Sequence, residues 1–94
     1  MQEDPVPAAE QLARAAIVEH LGPAALAALA LRIDTYPAPG DGEPLVCINL
    51  APAGADAAAW RGSAFLLRTT PTAERLAWAV RQATRGALQQ LGLL

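Results

Sequence analysis

The chain has 94 residues, 53% of them hydrophobic, and a formal net charge of −2 at pH 7. This length predicts one domain with one core, and the charge excludes the strongly basic character of a typical nucleic-acid-binding domain. The single cysteine excludes a disulfide within the chain. "MQEDPVPAAE" has acids where a secretory signal has basic residues, and the longest uncharged apolar run, Ala24 to Leu31, is too short to span a membrane. We therefore expect a cytoplasmic protein with no membrane span.

Charge is distributed unevenly along the chain. Residues 1–43 hold seven acids against two arginines, a net charge of −5, whereas residues 44–94 hold five arginines against two acids, a net charge of +3. This asymmetry suits packing between the two halves, head-to-tail association of copies, or binding of an acidic partner.

The N-terminal part predicts a flexible lead-in at residues 1–7, followed by a single domain over 8–94. "AAEQLARAAIVEHL", residues 8–21, is rich in helix formers. Gly22-Pro23 then ends this helix, because glycine accepts a positive φ and proline cannot continue it. The face that we expect to be buried consists of Ala9, Ala13, Ala16, Ile17 and Leu21.

The next segment changes from a helical to a strand pattern. "AALAAL" favours a short helix at 24–29, and residues 30–36 alternate, with Leu31 and Ile33 on one side. The sequence pattern places the boundary between this helix and this strand only to within several residues. "PAPGDGEP", residues 37–44, predicts a loop.

Two further strands follow. "LVCINLA", residues 45–51, is almost continuously apolar, which favours a central strand covered on both faces. Residues 52–63 are a longer connection with one helical turn at 56–60, and "AFLLRTT", residues 64–70, gives the third strand.

The closing helix, residues 71–92, has the clearest signals: Thr70 suits the N-cap and Pro71 the first helical position. The order of elements predicts an α+β fold, in which a three-stranded antiparallel meander packs against the first and last helices (α-β-β-β-α). The expected apolar face of the last helix consists of Ala73, Leu76, Ala77, Val80, Ala83, Ala87 and Leu91.

The opposite face of this helix places a tryptophan among arginines. Two structural explanations are open: the arginines stack over the Trp78 ring in solvent, or the ring lies under the N-terminal arm or the 52–63 loop. A third explanation is a partner, because Trp and Arg are enriched at the centres of protein interfaces. Trp60 and Arg61 are a secondary candidate for the same role. The candidate interaction face consists of Arg75, Trp78, Arg81, Gln82, Arg85 and Gln89.

Catalytic candidates are few. His20 ends the first helix, Cys47 lies in an apolar strand and suits a core position, and Ser63 is placed in a turn without the glycines of a nucleophile elbow. The sequence therefore predicts no catalytic residue, no metal site and no cofactor. The carboxylates Asp34, Asp41 and Glu43 lack the spacing of a calcium loop and are interpreted as solvated charge.

The order helix, three strands, helix resembles that of the double-stranded-RNA-binding domain. That family has a lysine cluster at the start of its last helix, where "TTPTAER" offers only Arg75. The order is also similar to that of small Ala-rich connector subunits of phage-like particles, which form rings. Neither similarity includes a sequence motif, so the residues identify no family.

The leading hypothesis is a non-enzymatic interaction or assembly subunit that self-associates, or binds another protein, through the face around Trp78. The alternative is a nucleic-acid-binding module that uses the same arginines, with Trp78 as a stacking platform. A third is an accessory protein for a small molecule or metal.

Overall fold

The computed structural model describes residues 5–36, 45–66 and 73–94. Over these residues the chain forms helices and an antiparallel meander in the predicted α+β order, which confirms the fold class. In chain order the elements are α1 (Pro5–Leu21), α2 (Pro23–Ala28), β1 (Leu29–Tyr36), β2 (Leu45–Pro52), a 3₁₀ turn (Ala57–Ala59), β3 (Arg61–Leu66) and α3 (Ala73–Gln90).

The sheet has the strand order β1-β2-β3, and both pairings are antiparallel. Ile48 of β2 lies opposite Ile33 of β1 and opposite Ser63 of β3. The β1–β2 register runs without interruption from Leu29 to Tyr36, so this pair contains no bulge. β2 is therefore central, as the sequence predicts, and β1 and β3 are the edges.

Gly22 separates α1 from α2. Its φ of 89° and ψ of 166° form a backbone conformation that favours glycine, and its N–H still donates to the carbonyl of Val18 at 2.8 Å. Pro23 then occupies the first turn of α2, where its missing N–H costs nothing. The predicted break is confirmed.

The core lies between the helices and one face of the sheet. Val46 and Ile48 of β2 are fully buried against alanines of α1 and against Val80 of α3, and Leu50 is buried against Ile17. Alanine on α1 lets the helix approach closely, so the few large side chains fill the space. Burying a side chain such as Ile48 stabilises the fold by roughly 1.5–3 kcal/mol.

The prediction that β2 is covered on both faces holds only near the end of the strand. Val46, Ile48 and Leu50 are buried on one face, whereas on the other Cys47 and Asn49 are only partly buried and Ala51 is buried. Successive side chains of a strand point to opposite faces, so Cys47 does not lie in the core between helices and sheet. The face that carries Cys47 and Asn49 is called the open face below, because α1 and α3 pack on the other one.

Several boundaries differ from the sequence pattern. The helix α1 begins at Pro5, so three residues of the predicted lead-in are helical. The strand β3 begins at Arg61 and includes Ser63, which is therefore not a turn residue. Residues 1–4, 37–44 and 67–72, which include the predicted N-cap Thr70 and Pro71, lie outside the described residues.

The buried face of α3 is broader than predicted. Val80, Ala83 and Ala87 are buried as expected, but Thr84 and Leu88 are buried too, and Ala73 is exposed. The difference arises because α3 packs on α1 as well as on the sheet. The hydroxyl of Thr84 has no hydrogen-bond partner among the described residues.

Candidate interaction surface

The outer face of α3 is exposed along its length, from the first turn to the last. Trp78 has 67% of its surface exposed, and the five polar side chains around it are also exposed. Residues three, four or seven apart on a helix share one side, so these side chains form a continuous stripe. The α3 surface is defined as Arg75, Trp78, Arg81, Gln82, Arg85 and Gln89.

The exposure of Trp78 excludes the explanation in which another part of the chain covers its ring. A ring held under the N-terminal arm or under the 52–63 connection would be buried, and this one is not. A tryptophan buries 150–250 Å² when it is fully covered. Leaving most of that area in water withholds a large favourable contribution, which a second molecule can supply.

Arg81 forms an ion pair with the neighbouring helix. Its guanidinium donates to the carboxylate of Glu19 on α1, and both side chains are about half exposed. One acid of the N-terminal half thus neutralises one arginine of the C-terminal half within the chain. Exposed pairs of this kind contribute about 0–1 kcal/mol.

Two other acids of the N-terminal half also have arginine partners nearby. Glu10 accepts from Arg14 at 2.9 Å, and Asp34 accepts from Arg32 at 2.8 Å. The remaining acids of that half lie outside the described residues: Glu3, Asp4, Asp41 and Glu43.

Trp60, the secondary candidate, has a different environment from Trp78. It is half-buried, and the guanidinium carbon of Arg32 lies 5.1 Å from the centroid of its ring. This distance suits a cation–π contact. The indole that stacks with Arg32 is therefore Trp60, in the connection before β3, and the more exposed indole is Trp78.

Arg61 is held by its own segment. Its Nη1 donates to the carbonyl of Ala58 at 2.8 Å and to that of Trp60 at 2.9 Å. These bonds close the 3₁₀ turn against the start of β3. The predicted pair Trp60 and Arg61 thus lies together, but with its main contacts inside the chain.

A chain of polar contacts crosses the open face beside Trp60. Asp34 accepts from Arg32 and, at 2.7 Å, from the amide of Asn49. The amide oxygen of Asn49 lies 3.4 Å from the sulfur of Cys47. These five residues are called the open-face network: Arg32, Asp34, Cys47, Asn49 and Trp60.

Gly62 makes room for this network. Asn49 lies opposite Gly62 in the β2–β3 register, and a Cβ at Gly62 would lie 2.3 Å from the Asn49 oxygen and 3.1 Å from the Cys47 sulfur. A glycine inside a strand often marks such a close approach. The sequence pattern assigned Gly62 to a loop, and nothing short of the register reveals its role.

The catalytic candidates do not assemble. Burial raises the pKa of the Cys47 thiol, an effect that nearby Asp34 reinforces and the Asn49 hydrogen bond opposes. A nucleophilic cysteine needs the opposite shift, because the thiolate is the reactive form. His20 is exposed at the end of α1, and Ser63 lies in β3.

The described residues contain neither a metal-binding cluster nor a membrane-spanning helix. Within 5–36, 45–66 and 73–94, no three His, Cys, Asp or Glu side chains lie close enough together to hold a metal ion. Asp41 and Glu43, two of the three carboxylates singled out in the sequence, lie outside those ranges. In the same ranges no helix combines the length and apolar character needed to cross a bilayer.

Comparisons with protein-family models, curated proteins and solved structures return no significant match to this chain.

Proposed function

We propose that this chain is a non-enzymatic assembly subunit that associates with further copies of itself through the α3 surface. The observation that carries this proposal is the 67% exposure of Trp78 on a helix whose other side is packed into the core. Tryptophan and arginine are the residue types that most often dominate binding energy at protein interfaces.

The charge distribution favours a second copy as the partner. Arg85 is exposed and takes part in none of the ion pairs among the described residues. The four acids at 1–4 and 37–44 belong to the acidic half of the sequence, whose net charge is −5. The other half of the sequence has a net charge of +3, so attraction between unlike halves of two copies would orient the contact.

The ion pair between Arg81 and Glu19 argues against the nucleic-acid alternative. A phosphate that approached Arg81 would also approach the Glu19 carboxylate. Affinity for nucleic acid depends on uncompensated cations. The same pair is compatible with a protein partner, which presents donors as well as acceptors.

Sedimentation equilibrium over a range of protein concentrations tests the proposal. The wild type should gain mass with concentration, and Trp78→Ala should raise the dissociation constant about 30-fold, the effect of losing about 2 kcal/mol at an interface centre. Arg85→Ala should raise the dissociation constant less than Trp78→Ala does. Its effect should be larger at low salt, where charges are screened less.

Leu93→Ala is the matched control, since Leu93 is also an exposed apolar side chain but lies beyond the end of α3. It should leave the dissociation constant unchanged. The proposal is wrong if the wild type stays monomeric at every concentration, or if Trp78→Ala and Leu93→Ala behave alike. Binding to nucleic acid, seen as an electrophoretic mobility shift that weakens with added salt, would favour the nucleic-acid-binding alternative instead.

A further inference from the structure

The outer edge of β1 has no strand beside it among the described residues. β1 is eight residues long, pairs with β2 without a bulge, and contains neither proline nor glycine. Protein sheets usually protect such edges with prolines, bulges, inward charges or a covering segment. An edge of this length and regularity can pair with another strand.

The hydrogen-bond pattern shows which backbone groups face this edge. The N–H of Ala53 donates to the carbonyl of Ala28 at 2.9 Å, one step beyond the Leu29–Pro52 pair. Bonded and non-bonded pairs alternate in an antiparallel ladder. The even-numbered residues of β1 therefore bond to β2, and the backbone groups of Leu29, Leu31, Ile33 and Thr35 point outward.

The opposite edge of the sheet, on β3, is partly covered by α3. Continuing the alternation through β2 turns the carbonyl of Gly62 on β3 outward, and the side-chain amide of Gln90 donates to it at 2.9 Å. The end of α3 thus occupies part of the β3 edge. This agreement also supports the alternation assigned to β1.

Side chains at the β1 edge are left partly exposed. Leu31 and Ile33 face the helices and contact the core, but they are only partly buried, whereas Val46 and Ile48 of β2 are fully buried. A strand added at this edge would cover them further.

We propose that β1 pairs with β1 of a second copy, antiparallel across a twofold axis at Ile33. In this register Ile33 exchanges two backbone hydrogen bonds with Ile33 of the second copy, and Leu31 does so with Thr35 of the second copy. All of these groups point outward. The two three-stranded sheets become one continuous sheet.

Charge on the open face selects this register over its neighbours. Arg32 and Asp34 already pair within each chain. In the dimer Arg32 also lies opposite Asp34 of the second copy, and Asp34 opposite Arg32 of the second copy, so the two pairs join into one patch of alternating charge. The neighbouring registers that keep the same backbone groups in contact place Arg32 opposite Arg32, or Asp34 opposite Asp34. Both are repulsive.

This edge is independent of the α3 surface. The helix α3 packs on β2 and β3, and α1 packs on β1, so the two surfaces belong to different ends of the sheet. The test is made in Trp78→Ala protein, which removes the contact assigned to α3 and lets each proposal fail separately.

Charge exchange tests the pairing by sedimentation equilibrium. Arg32→Asp alone and Asp34→Arg alone should each raise the dimer dissociation constant at least about tenfold, because attractive cross-strand pairs become repulsive. Carrying both substitutions in one chain should restore the dimer. Mixing the two single variants should give a heterodimer, since every facing pair is then opposite in charge.

A second pair of variants tests the backbone. Thr35→Pro removes an outward N–H and leaves the ladder to β2 intact, whereas Thr35→Val retains that N–H and serves as its control. Only the proline variant should lose the dimer. Circular dichroism and thermal melting show whether each chain is folded.

Amide hydrogen exchange gives a readout independent of the variants. In the dimer the amides of Leu31, Ile33 and Thr35 should exchange about tenfold more slowly than at dilutions where the chain is monomeric, while those of Arg32 and Asp34 change little. Fast exchange at the three outward amides at every concentration would overturn the proposal. So would failure of the doubly exchanged chain to dimerise while it remains folded.

Discussion

The two tryptophans lie beside arginines in the sequence but differ in how the fold treats them. Trp60 is half-buried, with the Arg32 guanidinium 5.1 Å from its ring centroid, and Arg32 is in turn held by Asp34. Trp78 is 67% exposed on the outer side of α3. Proximity of arginine and tryptophan in the sequence therefore does not distinguish a ring that packs within the chain from a ring that is exposed.

The difference follows from backbone geometry. Side chains on one strand face project alongside those of neighbouring strands and their connections, so Arg32 reaches a ring that is distant in sequence. On an outward helix face most neighbours are three or four residues away on the same helix. Glu19 on α1 reaches Arg81 from outside the helix, and Trp78 stays exposed. The open-face network is thus part of the fold, whereas the α3 surface is exposed.

The largest expected effect comes from disturbing the Trp60 side at Gly62. Gly62→Ala places a Cβ 2.3 Å from the Asn49 oxygen, and Asn49 cannot move without losing its bond to Asp34. We expect the free energy of unfolding to fall by about 1–3 kcal/mol, as for other overpacked sites, in urea denaturation.

Ala64→Ser, an exposed change on the same strand, is the control for this experiment and should alter stability by less than about 0.5 kcal/mol. Adding Asn49→Ala to Gly62→Ala should recover part of the loss by removing the clashing atom. Equal stability of Gly62→Ala and wild type would show that the close approach does not constrain the fold.

Removal of each indole should affect stability differently. Trp60→Ala loses a half-buried ring and its contact with Arg32, and should lower the free energy of unfolding by about 1–2 kcal/mol. Trp78→Ala should change it by less than about 0.5 kcal/mol. Chemical denaturation at a concentration where the chain is monomeric measures both. A larger loss at Trp78 than at Trp60 would reverse the assignment.

The smallest effect concerns Cys47 in the open-face network. Because burial raises the pKa of this thiol above its ordinary value of 9.0, iodoacetamide should modify it more slowly at pH 8 than it modifies the unfolded chain, and the rate should rise only in more alkaline solution. A thiol that reacts at least as fast as in the unfolded chain would contradict the assigned environment.

The same shift affects stability in one direction only. The folded state favours the protonated thiol. The thiol's contribution to the free energy of unfolding is therefore fully present below its pKa in the unfolded chain, and it is lost as the pH rises through its pKa in the folded chain. Wild type should therefore lose stability above about pH 9 slightly more than Cys47→Ala does, in paired thermal melts.

Periodicity could predict much of this fold. The stripe Ala9, Ala13 and Ile17 is buried as expected, and the alternation of Leu31 and Ile33 correctly separates them from Arg32. The exposure of the α3 surface was also predictable, because in a helix of 18 residues the 3.6-residue period separates the apolar face from the polar face.

Other features could not be predicted, for physical reasons. An uninterrupted apolar strand predicts a core position for Cys47, because the pattern does not reveal which face of the strand the helices cover. Gly62 and Ser63 are typical of turns, so the pattern starts β3 too late, and only pairing with Asn49 explains a glycine there. The pairing of Glu19 with Arg81 has no signal in the sequence, because helix packing determines that contact.

Fluorescence quenching of Trp78 shows whether a second copy covers the α3 surface. In Trp60→Phe protein Trp78 is the remaining tryptophan, and acrylamide should quench it efficiently in dilute solution. As the protein concentration rises through the association measured by sedimentation, the quenching constant should fall several-fold, because the ring becomes covered by a second copy. A quenching constant that stays high while the mass increases would show that copies associate elsewhere, and would contradict the function assigned to the α3 surface.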